Sequence, residues 1–444
     1  MLQNKTYTNW TNYPRIRGRL SLPVNLKSLS ALLESSPVLT PRGNGRSYGD
    51  ASLGAQMVSL RHCYQQIALD QELESLICPG GILLEQLLDF LIPQGYFLPV
   101  LPGTAKITIG GAIAADIHGK NHLHAGSFGH HVEEITLQSS PNKIITCSRL
   151  ANPDWFHATL GGMGLTGIIL QAKIKVIKIE SSYFYQDTIQ VNSITEMLDS
   201  FHLSNPASGH QIGWINDPNQ PKRFGLFSRN SPVPLTDLPP HRLKNPLKKS
   251  HSPTWNMPVF APRNALNPFT IRLYNSFHWQ QHIKIRKQII SYRQCLFPLD
   301  KINHWNRFYG RQGFLQFQAA FPVQNAPDAI KELFHCVNIF RKTPFLTVIK
   351  AFGPPSGGWL SFPIPGFTIC MDFKSSVDLP VFFESLHQIS LDFNGRIYLA
   401  KDALLKPELF RLMYSDVHRF TRFLRENNLT FSSAMAERLQ ITAT

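Results

Sequence analysis

Leu101-Pro-Gly-Thr-Ala-Lys-Ile-Thr-Ile-Gly-Gly-Ala-Ile-Ala-Ala-Asp-Ile-His-Gly-Lys-Asn-His-Leu-His-Ala-Gly-Ser-Phe-Gly-His-His-Val132 is a run in which side-chain bulk disappears and histidines then accumulate. Between Gly110 and Gly119 almost every residue is Gly, Ala or Ile, so a flat aromatic or pyrophosphate-bearing ligand could lie directly against main chain. His118, His122, His124, His130 and His131 follow within a short span and raise a metal site as the rival reading. No Cys or acidic ligand set accompanies them, and neither H-E-x-x-H nor C-x-x-C geometry is present, so no metal is expected. His124, His130 and His131 read as surface loop residues.

Upstream, Pro41-Arg-Gly-Asn-Gly-Arg-Ser-Tyr-Gly-Asp50 sets Gly43, Gly45 and Gly49 among small polar residues after the apolar Val38-Leu39. Such a loop can bring successive backbone N–H groups close to a phosphate. It matches neither G-x-G-x-x-G nor the Walker pattern, so neither a Rossmann unit nor a P-loop is expected to hold the nucleotide.

The 444 residues, 43% of them apolar, suffice for two or three domains with real cores. Met1 to Gly18 lacks an apolar h-region, and no later run approaches the roughly 20 apolar residues of a bilayer span, so neither a cleavable signal nor a transmembrane segment is expected. Cys63, Cys78, Cys147, Cys295, Cys336 and Cys370 stand singly, which fits a reducing compartment. A formal charge of +15 admits nucleic acid, an anionic membrane surface or a phosphorylated ligand. The bases are spread out, as in Arg15, Arg17, Arg19 and then Lys244, Lys248, Lys249, with no helix-turn-helix, zinc-finger or RNA-binding signature. Membrane headgroups or an anionic ligand therefore rank above nucleic acid.

Three regions differ in character. Up to residue 177, short β-branched runs punctuated by glycine, such as Lys106 to Ala115 and Leu165 to Val176, read as strands and tight turns of an α+β module. In the middle, residues 178–394, the Pro- and Lys-rich stretch from Ser231 to Arg263 reads as a long mobile surface loop. Phe314 to Phe321 and Phe345 to Phe352 alternate with a period of two and are expected to be strands of one sheet. From Lys406 to Asn427, Leu409, Leu412, Met413, Val417, Phe420 and Leu424 recur at helical spacing, which predicts one amphipathic helix.

The Pro41-to-Asp50 run followed by Gly110-Gly-Ala-Ile-Ala-Ala-Asp-Ile-His-Gly-Lys-Asn-His122 resembles the PCMH-type FAD domain of the vanillyl-alcohol-oxidase superfamily and, within it, the decaprenylphosphoryl-β-D-ribose oxidase group. The resemblance continues at Phe297-Pro-Leu-Asp-Lys-Ile-Asn-His-Trp-Asn306, Gly313-Phe-Leu-Gln-Phe-Gln318, Phe362-Pro-Ile-Pro-Gly-Phe-Thr-Ile-Cys-Met-Asp-Phe373 and Gly395-Arg-Ile-Tyr-Leu-Ala-Lys-Asp402, covering nearly the whole chain. It implies an α+β protein of two domains: an FAD-binding domain at 1–177 and 395–444, and a substrate domain at 178–394 built on an antiparallel sheet with helices. The strand at Ile397 to Lys401 would return the chain to the FAD domain. The resemblance implies FAD held by Pro41, Arg42, Gly43, Asn44, Gly45, Arg46, Ser47, Tyr48, Gly49, Asp50 and Ala51. Gly103, Thr108, Ile109, Gly110, Gly111, Ala115, Asp116, Ile117 and His118 would flank the pyrophosphate and isoalloxazine, and Ile168 and Tyr398 would complete the shell.

Over the flavin the resemblance places Gln316, Gln318, Lys350, Cys370 and Lys401, along with His118. Chemistry supports some of these independently. Moving hydride to flavin N5 while a hydroxyl proton leaves calls for a neighbouring cation or base, and Lys401 is the first choice. Gln316 and Gln318, two apart on a strand, face one side and could hydrogen-bond sugar hydroxyls. Cys370, between Ile369 and Met371, reads on composition as a buried inert thiol. Two departures stand out. Arg46 lies where related alditol and aldonolactone oxidases often carry a flavin-linking histidine, so FAD is expected to be non-covalent. Thr368 stands where mycobacterial members have asparagine, which bears on the sugar or lipid carrier.

The implied reaction is oxidation of the ribose 2-hydroxyl of a polyprenyl-phosphate sugar. A separate nicotinamide-dependent short-chain reductase would complete epimerisation for cell-envelope polysaccharide, and a quinone or another acceptor would take the electrons. The expected place is cytoplasmic, peripheral on the inner membrane. A soluble alditol or aldonolactone oxidase is the rival. Against it stand His-Gly-Lys-Asn at 118–121 in place of His-Gly-Thr-Gly, and the lack of a C-terminal His-Trp-x-Lys. A non-catalytic flavin- or lipid-binding protein is the third reading, opposed by Lys401 and His118.

Overall fold

The computed structural model describes residues 4–36, 38–63, 66–202, 209–250, 254–283 and 287–441. Near the N-terminus a mixed four-stranded sheet joins Lys5–Tyr7, Ile16–Ser21, Gln56–Val58 and Thr40–Pro41 in that order. Beside it, an antiparallel five-stranded sheet runs Ala68–Asp70, Ser75–Pro79, Ile168–Lys175, Val132–Ser140, Lys143–Ser148. Helix Leu84–Leu91 buries Leu84, Leu87, Leu88 and Leu91, the 3.6-residue stripe that its leucine spacing dictates, in the same core as Leu76, Ile135 and Ile174.

Residues 183–397 supply an antiparallel eight-stranded sheet. Its order is Lys287–Ser291, Tyr183–Val191, Gly225–Pro232, His210–Ile215, Thr347–Phe352, Gly366–Lys374, Phe314–Pro322, Arg396–Ile397. The two runs expected in one sheet do lie in it, with Gly366–Lys374 between them. Alternation divides the central strands into two faces. Leu315, Phe317, Ile349, Ile369, Met371 and Phe373 enter one core with Ile330 and Leu333 of helix Ala326–Ile339 and Phe382 and Leu386 of helix Leu379–Asp392. The opposite face carries Gln316, Gln318, Lys350, Thr368, Cys370 and Asp372, in register as Gln316–Asp372, Gln318–Cys370 and Lys350–Thr368.

Four expectations are corrected. Within Lys106 to Ala115, residues Ile109–Ala114 are helical, because the Thr108 hydroxyl accepts from Gly111 N at 3.1 Å and caps the turn. Ser231 to Arg263 is no uninterrupted loop. It begins in a strand, buries Val233 and Leu238, turns helically at Leu235–Asp237 and Pro240–Leu243, and bridges Trp255–Asn256 to Ile302–Asn303; residues 251–253 lie outside the described ones. The C-terminal helix is two, Pro407–Met413 and Val417–Glu426, because buried Tyr414 turns extended and donates its hydroxyl to Ile397 O at 2.7 Å. Finally, Ile397 to Lys401 is not one strand: Arg396–Ile397 edges the large sheet and the chain then turns toward the glycine loop.

That turn meets the glycine loop tightly. Tyr48 N donates to Ala400 O at 2.9 Å, and a Cβ on Gly49 would lie 1.5 Å from Asp402 O. Arg438 clamps the junction, donating to Asp50 at 2.9 and 2.8 Å and pairing with Asp402 at 2.9 Å. Both carboxylates are buried. Arg438→Ala leaves them facing each other unpaired and is expected to cost about 3–5 kcal/mol, read as a lower urea midpoint with unchanged slope. A loss within about 0.5 kcal/mol would show that the clamp is solvated.

Candidate active site

Residues of both sets of sheets line one cavity, and the glycine loop forms one wall. Arg42 braces that loop from behind, donating to Asn9 Oδ1 at 2.7 Å, Ser52 O at 2.9 Å and Thr8 O at 2.9 Å. Burial pulls its guanidinium down to about 10. Asn44 Nδ2 donates to Lys106 O at 2.8 Å, and Gly45 adopts φ +62°, a conformation that glycine takes without cost. The loop is therefore held by its side chains, while the backbone N–H groups of residues 43 to 47 find no partner among the described residues. Five successive open donors lining a cavity make an anion cradle. At its outer end the Arg46 guanidinium lies 3.9 Å over the Trp10 ring.

The opposite wall is the polar face of the large sheet. Gln318 Nε2 donates to His118 Nε2 at 3.1 Å and to Thr368 Oγ1 at 3.3 Å, and Thr368 in turn donates to Ala319 O at 2.8 Å. Burial, then the charge of Lys350, holds the His118 imidazole well below the usual histidine range, so the ring is neutral with its proton on Nδ1. That Nδ1 is buried without a partner among the described residues. Gln316 Nε2 donates to Asp372 Oδ1, which leaves Gln316 Oε1 likewise buried and unpartnered. Two orphaned polar atoms on residues that line the cavity are places for a ligand's hydroxyls.

Lys401 and Lys350 complete the charge pattern. The Lys401 ammonium lies 3.2 Å from the centroid of the Tyr48 ring. Burial brings it down to about 8, against the opposing pull of Cys370 and Asp372. Lys350 is lowered to about 8 by burial, with Lys401 adding repulsion. Burial pushes the Cys370 thiol up to about 12, so it is a neutral thiol, and raises Asp372 to about 6.

All six residues assigned to catalysis, Gln316, Gln318, Lys350, Cys370, Lys401 and His118, line this cavity, as do Ile168 and Tyr398, whose hydroxyl donates to Ala115 O at 3.1 Å. Of the cofactor residues, Pro41 to Tyr48, Ala51, Gly103, Thr108, Gly110, Gly111, Ala115 and Ile117 line it too. Four do not. Gly49 packs on Asp402, Asp50 pairs with Arg438, and Ile109 belongs to the hydrophobic core. Asp116 accepts from Ser127 Oγ at 2.9 Å, Gly129 N at 2.8 Å and Ser356 Oγ at 2.6 Å. Of the histidines read as surface, only His124 is exposed. His131 is half-buried and bonded to Ala125 O at 2.8 Å, and half-buried His130 accepts from Ser127 N at 3.2 Å. Among the described residues no cluster of His, Cys, Asp or Glu could hold a metal.

Several lining residues escaped sequence reasoning. Gly80 and Gly81 follow the strand Ser75–Pro79 and meet the same small-residue criterion as Gly110 and Gly111. Asp300, which accepts from Thr104 Oγ1 at 2.7 Å and Ala105 N at 2.9 Å, and Trp305 both sit in a run singled out only for resemblance. Asp372 was signalled by its spacing of two from Cys370 on a strand. Trp10 carried no signal.

Comparison with known proteins follows the same lines. The family described as FAD binding domain matches residues 27–148. Decaprenylphosphoryl-beta-D-ribose oxidase of Mycolicibacterium smegmatis is 36% identical over 409 residues, which cover 90% of this chain and 88% of that protein. The chain belongs to the decaprenylphosphoryl-β-D-ribose oxidase family. More distant are L-gulonolactone oxidase of Scyliorhinus torazame, 24% identical over 58% of each chain, and mitochondrial L-galactono-1,4-lactone dehydrogenase of Arabidopsis thaliana, 25% identical over 39% of this chain and 29% of that one. This family member is an FAD-dependent oxidoreductase with a PCMH-type FAD-binding domain. The cavity fits that cofactor: the open N–H groups suit a pyrophosphate, and the walls at Gly110, Gly111, Ala114 and Ala115 leave main chain bare for a ring system.

Asp372 supports the charged form of Lys401. Asp372→Asn is expected to move the Lys401 titration midpoint further down from about 8, read by NMR of the labelled lysine side chain. An unchanged or raised midpoint would contradict that coupling.

Proposed function

We propose that the chain oxidises the 2'-hydroxyl of a polyprenylphosphoryl-β-D-ribose to the 2'-keto sugar, using non-covalent FAD. The observation that carries this reading is the polar wall opposite the anion cradle: Gln316 Oε1 and His118 Nδ1, buried and without a partner among the described residues, in the cavity that Lys401 also lines. The named substrate of the 36%-identical relative matches that chemistry. When bound, FAD supplies the hydride acceptor at flavin N5.

The protein's part is positioning and proton transfer. Gln316 and His118 hold sugar hydroxyls so that one C–H faces the acceptor. As that hydride leaves, the hydroxyl proton passes to neutral Lys401, and the Tyr48 ring beneath the new ammonium, with Asp372 behind it, stabilises the charge. Lys350, lowered alike, favours having only one of the two amines charged. Arg46 stands in the cradle, and no histidine occupies residues 41 to 51 to link the flavin. On this reading the FAD-binding unit is 1–177 with 395–444, and 178–394 receive the sugar. The keto sugar would pass to a nicotinamide-dependent reductase, and a quinone or similar acceptor would take the electrons. The enzyme works at the inner membrane surface; no helix among the described residues is long and apolar enough to cross a bilayer.

Anaerobic flavin bleaching tests this. Polyprenylphosphoryl-ribose should bleach the wild-type enzyme, whereas xylitol and gulonolactone should not. The rate should rise with pH through a midpoint near 8 as the ammonium of Lys401 deprotonates. Lys401→Ala should stay yellow but lose on the order of 100-fold or more in bleaching rate. Bleaching by free polyols alone would favour an aldonolactone oxidase, and a rate that falls through the same pH window would make Lys401 an electrostatic group instead of a base.

A further inference from the structure

The polar face of the large sheet changes character from one strand to the next. Register sets Gln318 beside Cys370, Cys370 beside Val348, Val348 beside Trp214 and Trp214 beside Leu226, all on the face that bounds the cavity at Gln318, Cys370 and Val348. Over successive strand spacings of about 4.8 Å, this row passes from an amide and a thiol to an aliphatic and then an aromatic side chain. Lys350, two residues from Val348 on the same strand and so on the same face, stands where polar gives way to apolar. Beyond Val348, helix Pro268–His282 comes over the face: its Ile271, Asn275 and Trp279 are buried, and its His278 ring meets the half-buried Trp214 ring at 4.6 Å between centroids.

Lys350 lacks a counter-charge. It has no hydrogen bond or ion pair to any described residue, Lys401 and Lys120 both repel it, and the Cys370 thiol beside it stays neutral. The other cations that line the cavity are already engaged. Arg42 is spent on Asn9, Ser52 and Thr8, Arg46 lies over Trp10 in the cradle, and Lys401 has Tyr48 and Asp372. A half-buried amine among other cations is a place for an anion. A polyprenylphosphoryl-ribose carries its one negative charge on the phosphodiester at C1, next to the carbon whose hydroxyl is oxidised. The cation that receives this charge therefore has to share a cavity with the acceptors for the sugar hydroxyls, as Lys350 does.

We propose that Lys350 binds the phosphate of the substrate and that the isoprenoid chain leaves over Val348 and Trp214. Sugar, phosphate and lipid then cross the strands in the order in which the face turns from hydrogen-bonding to cationic to apolar. Lys350 and Trp214 become specificity-determining residues, one for the charge and the other for the chain. This assignment rests on the reaction proposed above, and it adds the direction in which the substrate lies.

The test is anaerobic bleaching of the FAD-loaded enzyme by three ribosides: farnesylphosphoryl-β-D-ribose, its methylphosphoryl counterpart and the uncharged farnesyl β-D-riboside. Half-saturating concentrations give two ratios, a preference for phosphate and a preference for chain length. Lys350→Gln should lower the phosphate preference by about 30-fold or more and keep the chain preference. Trp214→Ala should lower the chain preference by about tenfold and keep the phosphate preference. A general loss of structure would not separate the two ratios in this crossed way. A phosphate preference that survives Lys350→Gln, or a chain preference that survives Trp214→Ala, overturns the proposal. A wild type bleached by farnesylphosphoryl-ribose, with both preferences intact in the variants, removes this assignment and leaves the reaction standing; a wild type that it does not bleach removes both.

Discussion

The site depends on the contact between the glycine loop and the turn that follows Arg396–Ile397. There Tyr48 N bonds to Ala400 O, the Tyr48 ring lies under the Lys401 ammonium, and Arg438 ties Asp50 to Asp402. Without a side chain at residue 49 the two backbones meet. This junction sets the anion cradle of the first sheet against the polar face of the large one. It also sets two half-buried lysines in the cavity, where desolvation lowers both amines to about 8.

From this junction the division of labour becomes physical. Arg42, Asn44 and Asn9 consume their polar groups in holding the loop, which frees its N–H groups for a ligand. On the far wall Gln316 and Gln318 each spend one end of their amide on a neighbour, Asp372 and His118. Gln316 keeps its other end unspent, and His118 keeps Nδ1. Buried polar atoms without partners are costly in a folded chain, and here they gather where a polyhydroxylated ligand would relieve them.

Much of this could be read in the chain. The small-residue stretch does bare main chain at the cavity, and the alternation of 314–321 does set Gln316 and Gln318 on one face. What could not be read depended on tertiary partners. Asp116 and Asp50 have the same local character as their neighbours, and only Ser127, Ser356 and Arg438, distant in sequence, turn them into structural anchors. Tyr414 broke a helix that spacing supported, because its hydroxyl finds Ile397 O. On helix Pro268–His282 the exposed row Phe269, Leu273 and Phe277 was hidden for the opposite reason: it has the same period as the buried row Ile271, Asn275 and Trp279, and sequence does not say which faces solvent.

The central claim is that a dinucleotide's pyrophosphate rests on the open N–H groups of residues 43 to 47 with its flavin facing Lys401. A crystal structure of the FAD complex measures this directly. Pyrophosphate oxygens within about 3.2 Å of two or more of those nitrogens, with the flavin beside Lys401 and Gln318, is the predicted result. A pyrophosphate bound elsewhere, with that loop still empty-handed, would contradict it.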